Sequence, residues 1–275
     1  MNFIAFDAGG SFIKYGIPKS LHFFPLPYTK EIILNIINEN GSKNVLLTGA
    51  GSQIIKNWLS PSNDKKVVIH QEFQATGFGG AYLSDLDECI VVNIGSGTPI
   101  LYVNRKDKKV IHLGGTGLGS ASIVGLSHFI TQIDELDKIS SLALQGNAAK
   151  VNLLVGDLYE NSLKELGLPA SITASNFGKY QNWRHIDEKP SINDLLAGLH
   201  VLVAETIAVI TFQASKTYTK NHSIPIVITG GGTLNEALTV NLKKTFKFLN
   251  DIECIVPQNA LYGTLHGLFV LENLI

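Results

Sequence analysis

The sequence predicts an α/β protein of two lobes, each a sheet with helices, and three observations carry that reading. An apolar strand, Phe3 to Phe6, runs into Asp7, turns on Gly9-Gly10 and leaves as a second strand through Ser11 and Lys14. A second apolar strand, Ile90 to Ile94, ends in Gly95-Ser96-Gly97-Thr98 and is followed by another over Ile100 to Val103. A third, Ile226 to Thr229, runs into Gly230-Gly231-Gly232. Short apolar runs bounded by turn residues read as buried strands, and the first two look like distant copies of one hairpin.

The intervening elements follow from spacing. Ile33, Ile36 and Ile37 recur at helical intervals, Gly41 stops that helix, and Val45 to Thr48 reads as a buried strand. Ser52 to Leu59 resembles a short helix, Pro61 to Asp64 a turn, and Val67 to Ile69 a strand that delivers His70-Gln71-Glu72 at its carboxyl end. Open α/β sheets put chemistry at that end. A helix carries Ala75 to Leu83, and charged Asp85 to Glu88 marks a boundary between an N-terminal lobe, 1–86, and a C-terminal lobe, 87–275. In the second lobe Asn104 to Lys108 forms a hairpin tip and Val110 to Leu113 returns. The run Gly114-Gly115-Thr116-Gly117-Leu118-Gly119-Ser120 then opens a helix, whose free N–H groups and dipole favour an anion. Asp134 to Gly146 and Val151 to Glu165 read as helices, Ser171 to Lys179 as a loop, and Ser191 to Thr219 as the longest helix. After the Gly230 turn come a helix, Asn235 to Phe248, a strand, Cys254 to Val256, and a closing helix, Leu261 to Leu271, that can pack back on the first lobe.

Composition excludes several classes. The chain has 275 residues, 45% hydrophobic and 16% charged, with a formal net charge of -1, so no basic stripe calls for nucleic acid. Cys89 and Cys254 each sit in an apolar run and read as reduced, buried thiols. The start Met1-Asn2-Phe3-Ile4 lacks a signal peptide's basic region, and no apolar run approaches the ~20 residues of a membrane span; a soluble cytoplasmic protein is the expectation. The 26 glycines cluster where backbone approaches a ligand closely.

The first hairpin suits phosphate. Its glycines admit backbone N–H groups to an anion, Ser11 and Lys14 reach phosphate oxygens, and Asp7 can hold Mg²⁺ through water. An ordinary hairpin with a solvated lysine carries the same residues. A Walker A loop is absent, since Gly178-Lys179 is followed by Tyr180. Neither Gly117-Leu118-Gly119 nor Gly95-Ser96-Gly97 reaches the third glycine of a dinucleotide fingerprint, and no His-Glu-x-x-His or Cys-x-x-Cys occurs.

The ordered set of Asp7-Ala8-Gly9-Gly10, Gly95-Ser96-Gly97-Thr98 and Gly230-Gly231-Gly232 resembles the first phosphate, second phosphate and adenosine motifs of the actin, hexokinase and Hsp70 superfamily. Gln71-Glu72-Phe73, Asn93 to Thr98, Gly114 to Gly119 and above all Thr173-Ala174-Ser175-Asn176-Phe177-Gly178 resemble the type II pantothenate kinases, over nearly the whole chain. The resemblance implies a two-lobed actin-like ATPase fold of duplicated ribonuclease H-like domains with ATP in the interlobe cleft. It also implies a homodimer that phosphorylates the primary hydroxyl of pantothenate. It makes Glu72 the base and gives Asp7 to Mg²⁺ and in-line geometry. Ala8, Gly9, Gly10, Ser11 and Lys14 go to the β- and γ-phosphates, and Ser96, Gly97 and Thr98 to the second clamp. The helix start Ser120, Ala121, Ser122, Ile123 and Val124 faces ATP, and Gly230 and Gly231 lie against adenosine. Glu72, Ser96 and His112 meet the acceptor, and Phe177 packs beside a bound ligand. His70 is read as capping a strand end, His128, His200 and His266 as packing or surface residues, and Trp58 and Trp183 as structural.

Two departures fall on the acceptor side. Where the family has a second small hydroxyl residue after the Gly-Ser-Gly turn, this chain has Pro99, with neither hydroxyl nor N–H. Just before Gly114-Gly115 the family has an arginine, and here His112 stands two residues before Gly114, a partly charged ring in place of a permanent planar fork. One charged contact is worth ~1.5–3 kcal/mol, about ten- to a hundredfold in affinity. The adenosine motif also lacks its frequent aromatic, ending Gly232-Thr233. The alternatives are therefore a kinase of the same fold for a related alcohol, pantetheine or an amino sugar, and a non-catalytic nucleotide-binding dimer.

Overall fold

The computed structural model describes residues 3–59, 65–159, 169–180, 189–218 and 224–275. Two five-stranded sheets organise the chain. The first holds β1 (Phe3–Ala8), β2 (Phe12–Ile17), β3 (Ser20–Pro25), β4 (Asn44–Thr48) and β5 (Lys66–Ile69), in the order β3-β2-β1-β4-β5. The second holds β6 (Glu88–Asn93), β7 (Thr98–Asn104), β8 (Lys109–Thr116), β11 (Ile226–Thr229) and β12 (Cys254–Ile255), in the order β12-β11-β6-β7-β8, while β9 (Leu153–Leu154) and β10 (Thr173–Ser175) form a separate ribbon. In each large sheet three antiparallel strands begin the unit and two parallel ones complete it. Counted within its own sheet, the strand order is identical in both, so the copied hairpins sit at equivalent places.

Helices α1 (Lys30–Glu39) and α2 (Ser52–Leu59) bury Ile33, Ile37, Ile55 and Leu59 against Ile4, Phe6 and Leu47 of the first sheet. Helix α3 (Glu72–Leu83) lies between the sheets: Ala75 packs with Ala5 and Leu46, and Ala81 with Val91 and Val103. Within the second lobe follow α4 (Ser120–Thr131), α5 (Leu136–Gln145), α6 (Val155–Leu158), α7 (Ile192–Ser215) and α8 (Glu236–Asn250); α9 (Gly263–Leu271) closes the described chain. Leu199, Val203 and Ile207 of α7 pack with Leu238 and Phe246 of α8 and Ile139 of α5 beneath the second sheet. A fully buried leucine or isoleucine contributes roughly 1.5–3 kcal/mol. Helix α9 places Leu265, Leu268 and Phe269 against Ala5, Leu46 and Ala75.

Some expectations are corrected. The segment read as a helix over 151–165 instead forms β9 and the four-residue α6; 160–165 lies outside the described residues, as do the Pro61 turn and Trp183. Its apolar spacing yields to strand pairing with β10, which itself replaces part of the loop over 171–179. Strand β3 escaped the pattern reading because it is a largely exposed edge without alternating burial. Helix α3 begins at Glu72, three residues earlier than Ala75. The expectation that no apolar run approaches membrane length is also wrong. Helix α7 has 24 residues and contains a stretch with a mean hydropathy of 2.0, long and apolar enough by length and composition, yet 56% of that stretch is buried inside the protein. Packing against the sheet and two helices accounts for its apolarity.

Candidate active site

A cavity of about 580 Å³ opens between the two hairpins. Its first wall comes from β1, β2 and the start of α3. Asp7 and Lys14 are directly opposed across the β1–β2 pair, so the register itself brings Lys14 Nζ to 2.9 Å from Asp7 Oδ2. Asp7 is 4% exposed and Lys14 9%, so the lysine is a buried ion-pair partner, not a solvated surface residue. Glu72 enters the same cavity at the first position of α3. Burial pushes its carboxyl above the ordinary glutamate value near 4.5, the Asp7 charge pushes it further, and Lys14 partly opposes both.

His112 is the one ionisable side chain among the described residues that line the second wall. Asn93, Gly95, Ser96, Gly97, Thr98, Pro99, Gly115, Thr116, Gly117 and Ser120 face the cavity. Thr98 Oγ1 donates to Leu118 O at 2.7 Å and Leu118 N to Thr116 Oγ1 at 3.1 Å, which tie the hairpin to the glycine-rich turn. Ser120 Oγ is buried without a hydrogen-bond partner at the start of α4. The two hairpins touch: Ser11 Oγ and Ser96 Oγ are 2.7 Å apart, and a β-carbon on Gly10 would come within 3.3 Å of that Ser96 hydroxyl. Gly230 turns with φ of +91, and a β-carbon there would meet Asn93 Oδ1 and Ile94 O at 2.6 Å, so glycine is needed to bring the chain past β6.

The cavity thus gathers Asp7, Gly9, Gly10, Ser11, Lys14, Glu72, Ser96, Gly97, Thr98, His112, Ser120 and Gly231. It does not gather the rest of the sequence-based set. Ala8 lies in the first core and Ile123 in the second, with Val124 packed against it. Ala121 is exposed, Ser122 Oγ is spent on Gly117 O and the Gly119 N–H, and the Gly230 N–H is donated to Ala260 O. Phe177 packs in the second core, its N–H donated to Asn152 Oδ1, so it does not stand beside the cavity. The Thr173-to-Gly178 segment is anchored on α7 by Thr173 Oγ1 donating to Glu205 Oε1 at 2.8 Å.

Sequence reasoning missed Phe12, Phe73 and Thr264. Phe12 lies 3.9 Å from the position a β-carbon would take on Gly231, and bridges the lobes. Phe73 stacks on His112 with ring centroids 4.7 Å apart. The Gln71-Glu72-Phe73 triplet was the available signal for Phe73; Thr264, on the last helix, had none. His70 bonds through Nε2 to Glu272 Oε1 at 2.8 Å. His200 and His266 are buried, and burial lowers the pKa of each, in keeping with packing roles. The thiols of Cys89 and Cys254 are pushed up to about 12 by burial, which leaves them protonated and inert near neutrality.

A family model described as Fumble matches residues 84–248. A type II pantothenate kinase of Bacillus cereus is 30% identical over 98% of both chains, and one from another strain of that species is 34% identical over 81% of this chain and 82% of the relative. The chain belongs to the type II pantothenate kinase family. The activator of 2-hydroxyisocaproyl-CoA dehydratase from Clostridium difficile, solved with bound ADPNP, superposes with a TM-score of 0.64 at 15% identity, over 99% of this chain and 95% of that one. The fold of this pantothenate kinase family member is the actin-like ATPase fold, with its cavity between the two repeated sheets.

Proposed function

We propose that the chain transfers the γ-phosphoryl group of ATP to the primary hydroxyl of pantothenate, the first step towards coenzyme A. One observation carries the reading: a half-buried carboxyl, Glu72, shares a cleft with the Asp7–Lys14 pair and with hydroxyls from two opposed glycine hairpins. Phosphoryl transfer is mainly positioning and charge stabilisation, and this cleft holds the parts it needs. The N–H groups of Gly9 and Gly10, with Ser11 and Lys14, hold the β- and γ-phosphates, while Ser96, Gly97 and Thr98 clamp from the other lobe. Ser120 offers its unpartnered hydroxyl at a helix N-terminus, and Gly231 with Phe12 borders the nucleoside. Glu72 accepts the proton of the pantothenate hydroxyl as its oxygen bonds to the γ-phosphorus and the bond to ADP breaks.

Among the described residues no group of three or more His, Cys, Asp or Glu could hold a metal ion. The cavity offers the Asp7 carboxylate beside its phosphate-facing glycines, which suits Mg²⁺, commonly held by one or two carboxylates plus substrate phosphates and water. Asp7 is the carboxylate in place, and the bound ion would neutralise charge on the transferring phosphoryl. The family resemblance supports a homodimer, and the acidic-to-neutral charge balance supports a cytoplasmic partner set of small molecules without nucleic acid.

A second reading, an uncharged primary alcohol such as pantetheine, draws on the acceptor side. Among the described residues no arginine lines the cavity, Pro99 replaces a hydroxyl, and His112 is stacked on Phe73. An ADP-release assay with MgATP and pantothenate, pantetheine or N-acetylglucosamine tests both. ADP release dependent on pantothenate is the expected result. Turnover confined to another alcohol overturns the acceptor assignment, and tight ATP binding with no turnover overturns the enzyme.

A further inference from the structure

Among the described residues, no local side-chain bond holds the turn that presents Glu72, where the Gln71 carbonyl accepts the Ala75 N–H at 3.1 Å. Strand β5 is a four-residue edge strand with no fully buried residue, and Gln71, the cap of α3, makes no side-chain capping bond. Its hold comes from distant residues. The His70 N–H donates to Leu47 O at 2.9 Å, and Thr48 Oγ1 donates to His70 O at 3.1 Å. Thr48 is fully buried and stands opposite Asp7 in the parallel β1–β4 register, so one residue braces both Asp7's strand and the turn two residues before Glu72. The third hold is the His70 ring, bonded to Glu272 at the C-cap of α9.

Helix α9 is a fixed anchor because it cannot slide along α3. A β-carbon on Gly79 would meet Gly263 O at 1.8 Å and one on Gly267 would meet Ala75 O at 1.7 Å, so the backbones are in direct contact. Thr76 Oγ1 and Thr264 Oγ1 lie 3.0 Å apart in the same seam. The seam runs antiparallel, which carries the end of α9 to the beginning of α3.

We propose that His70 and Glu272, with Thr48, are positioning residues for Glu72: the closing helix reaches back across the chain and fixes where that carboxylate stands in the cleft. The inference rests on reading Glu72 as the base, and it assigns the C-terminal end a task in catalysis that its distance in sequence conceals. Loss of the Glu272 bond leaves the fold's cores intact and lets the turn relax, and small displacements of a catalytic group cost up to roughly a hundredfold in rate.

The test is steady-state kinetics of His70→Ala, Glu272→Ala, their double variant and His70→Gln, with amide spectra of each. Both alanine variants should lower kcat roughly ten- to a hundredfold with the KM for ATP unchanged. The double variant should be no worse than either single, and His70→Gln, which can still donate to Glu272, should recover most of the rate. The Glu72 and Phe73 amide resonances should move in Glu272→Ala. Unchanged kcat, single losses that multiply, or a matching rise in the KM for ATP would overturn the inference. If the wild-type chain turns over no alcohol, the reading of Glu72 as the base fails separately, and unmoved Glu72 and Phe73 amides in Glu272→Ala would still overturn the positioning.

Discussion

The two hairpins that face each other across the cleft share a sheet position and differ in what they carry. The first brings Asp7 and Lys14, and the lobe that bears it also supplies Glu72. The second brings Asn93, Ser96, Thr98 and glycines, and His112 is the one ionisable side chain its lobe adds to the cavity lining. An identical strand order in both sheets makes the difference one of side chains, not of scaffold. In the proposed mechanism the first wall carries the charge and the proton transfer and the second wall holds the nucleotide. Breaking either wall should therefore give different kinetics.

The largest effect belongs to the first wall. Glu72→Gln keeps size and removes the proposed base, so kcat should fall roughly 100- to 10,000-fold with ATP affinity retained. Rapid-quench turnover and equilibrium ATP binding measure the two, and a variant with most of its activity would remove Glu72 from the chemistry. The same carboxyl sets the acid side of the pH profile. As the proposed base Glu72 would have to be deprotonated, and burial and Asp7 raise its pKa, so kcat/KM should climb with pH through a midpoint above 4.5. Lys14 opposes that rise, so Lys14→Met should move the midpoint to still higher pH. It should also destabilise the fold by about 3–5 kcal/mol, because Asp7 is left buried and unpaired; thermal unfolding would register it. A midpoint unmoved in Lys14→Met would mean the two groups do not interact in solution.

On the second wall the acceptor end comes next. His112→Arg restores a permanent charge and should lower the KM for pantothenate about ten- to a hundredfold while leaving that for pantetheine alone. Equal change for both acceptors would show that His112 does not meet a carboxylate.

How much of this could be read from residues depended on distance along the chain. The hairpins were legible because their determinants are local: an apolar strand, a polar end residue and a glycine turn within a dozen positions. Even the Asp7–Lys14 pair spans only seven residues, although its burial was not legible. The Ser11–Ser96, Thr76–Thr264 and His70–Glu272 contacts join residues 85, 188 and 202 apart, and no spacing rule reports them. Leu153, Leu154, Val155 and Leu158 fit a helical period, but pairing with β10 takes Leu153 and Leu154 into β9 and leaves only Val155–Leu158 helical. Thr173-Ala174-Ser175-Asn176-Phe177-Gly178, the segment most specific to the family, packs on α7 instead of in the cavity. A distinctive motif identified the family without locating the cleft.

The smallest expected effect tests whether the two walls act together. Ser11 and Ser96 hydrogen-bond to each other at 2.7 Å, so each hydroxyl must give up that partner before it meets phosphate. Ser96→Ala loses one phosphate contact but also releases Ser11 from that bond, and Ser11→Ala does the reverse. Each single change should therefore weaken ATP binding by less than the value of one hydrogen bond. The double change loses both contacts, and the release counts only once. Its cost should exceed the product of the single costs by the strength of the Ser11–Ser96 bond, about 0.5–1.5 kcal/mol or roughly 2- to 12-fold. Calorimetry of ATP binding to the four proteins measures that excess. Plain multiplication of the single effects would mean that in solution the hairpins stand apart and clamp the nucleotide independently.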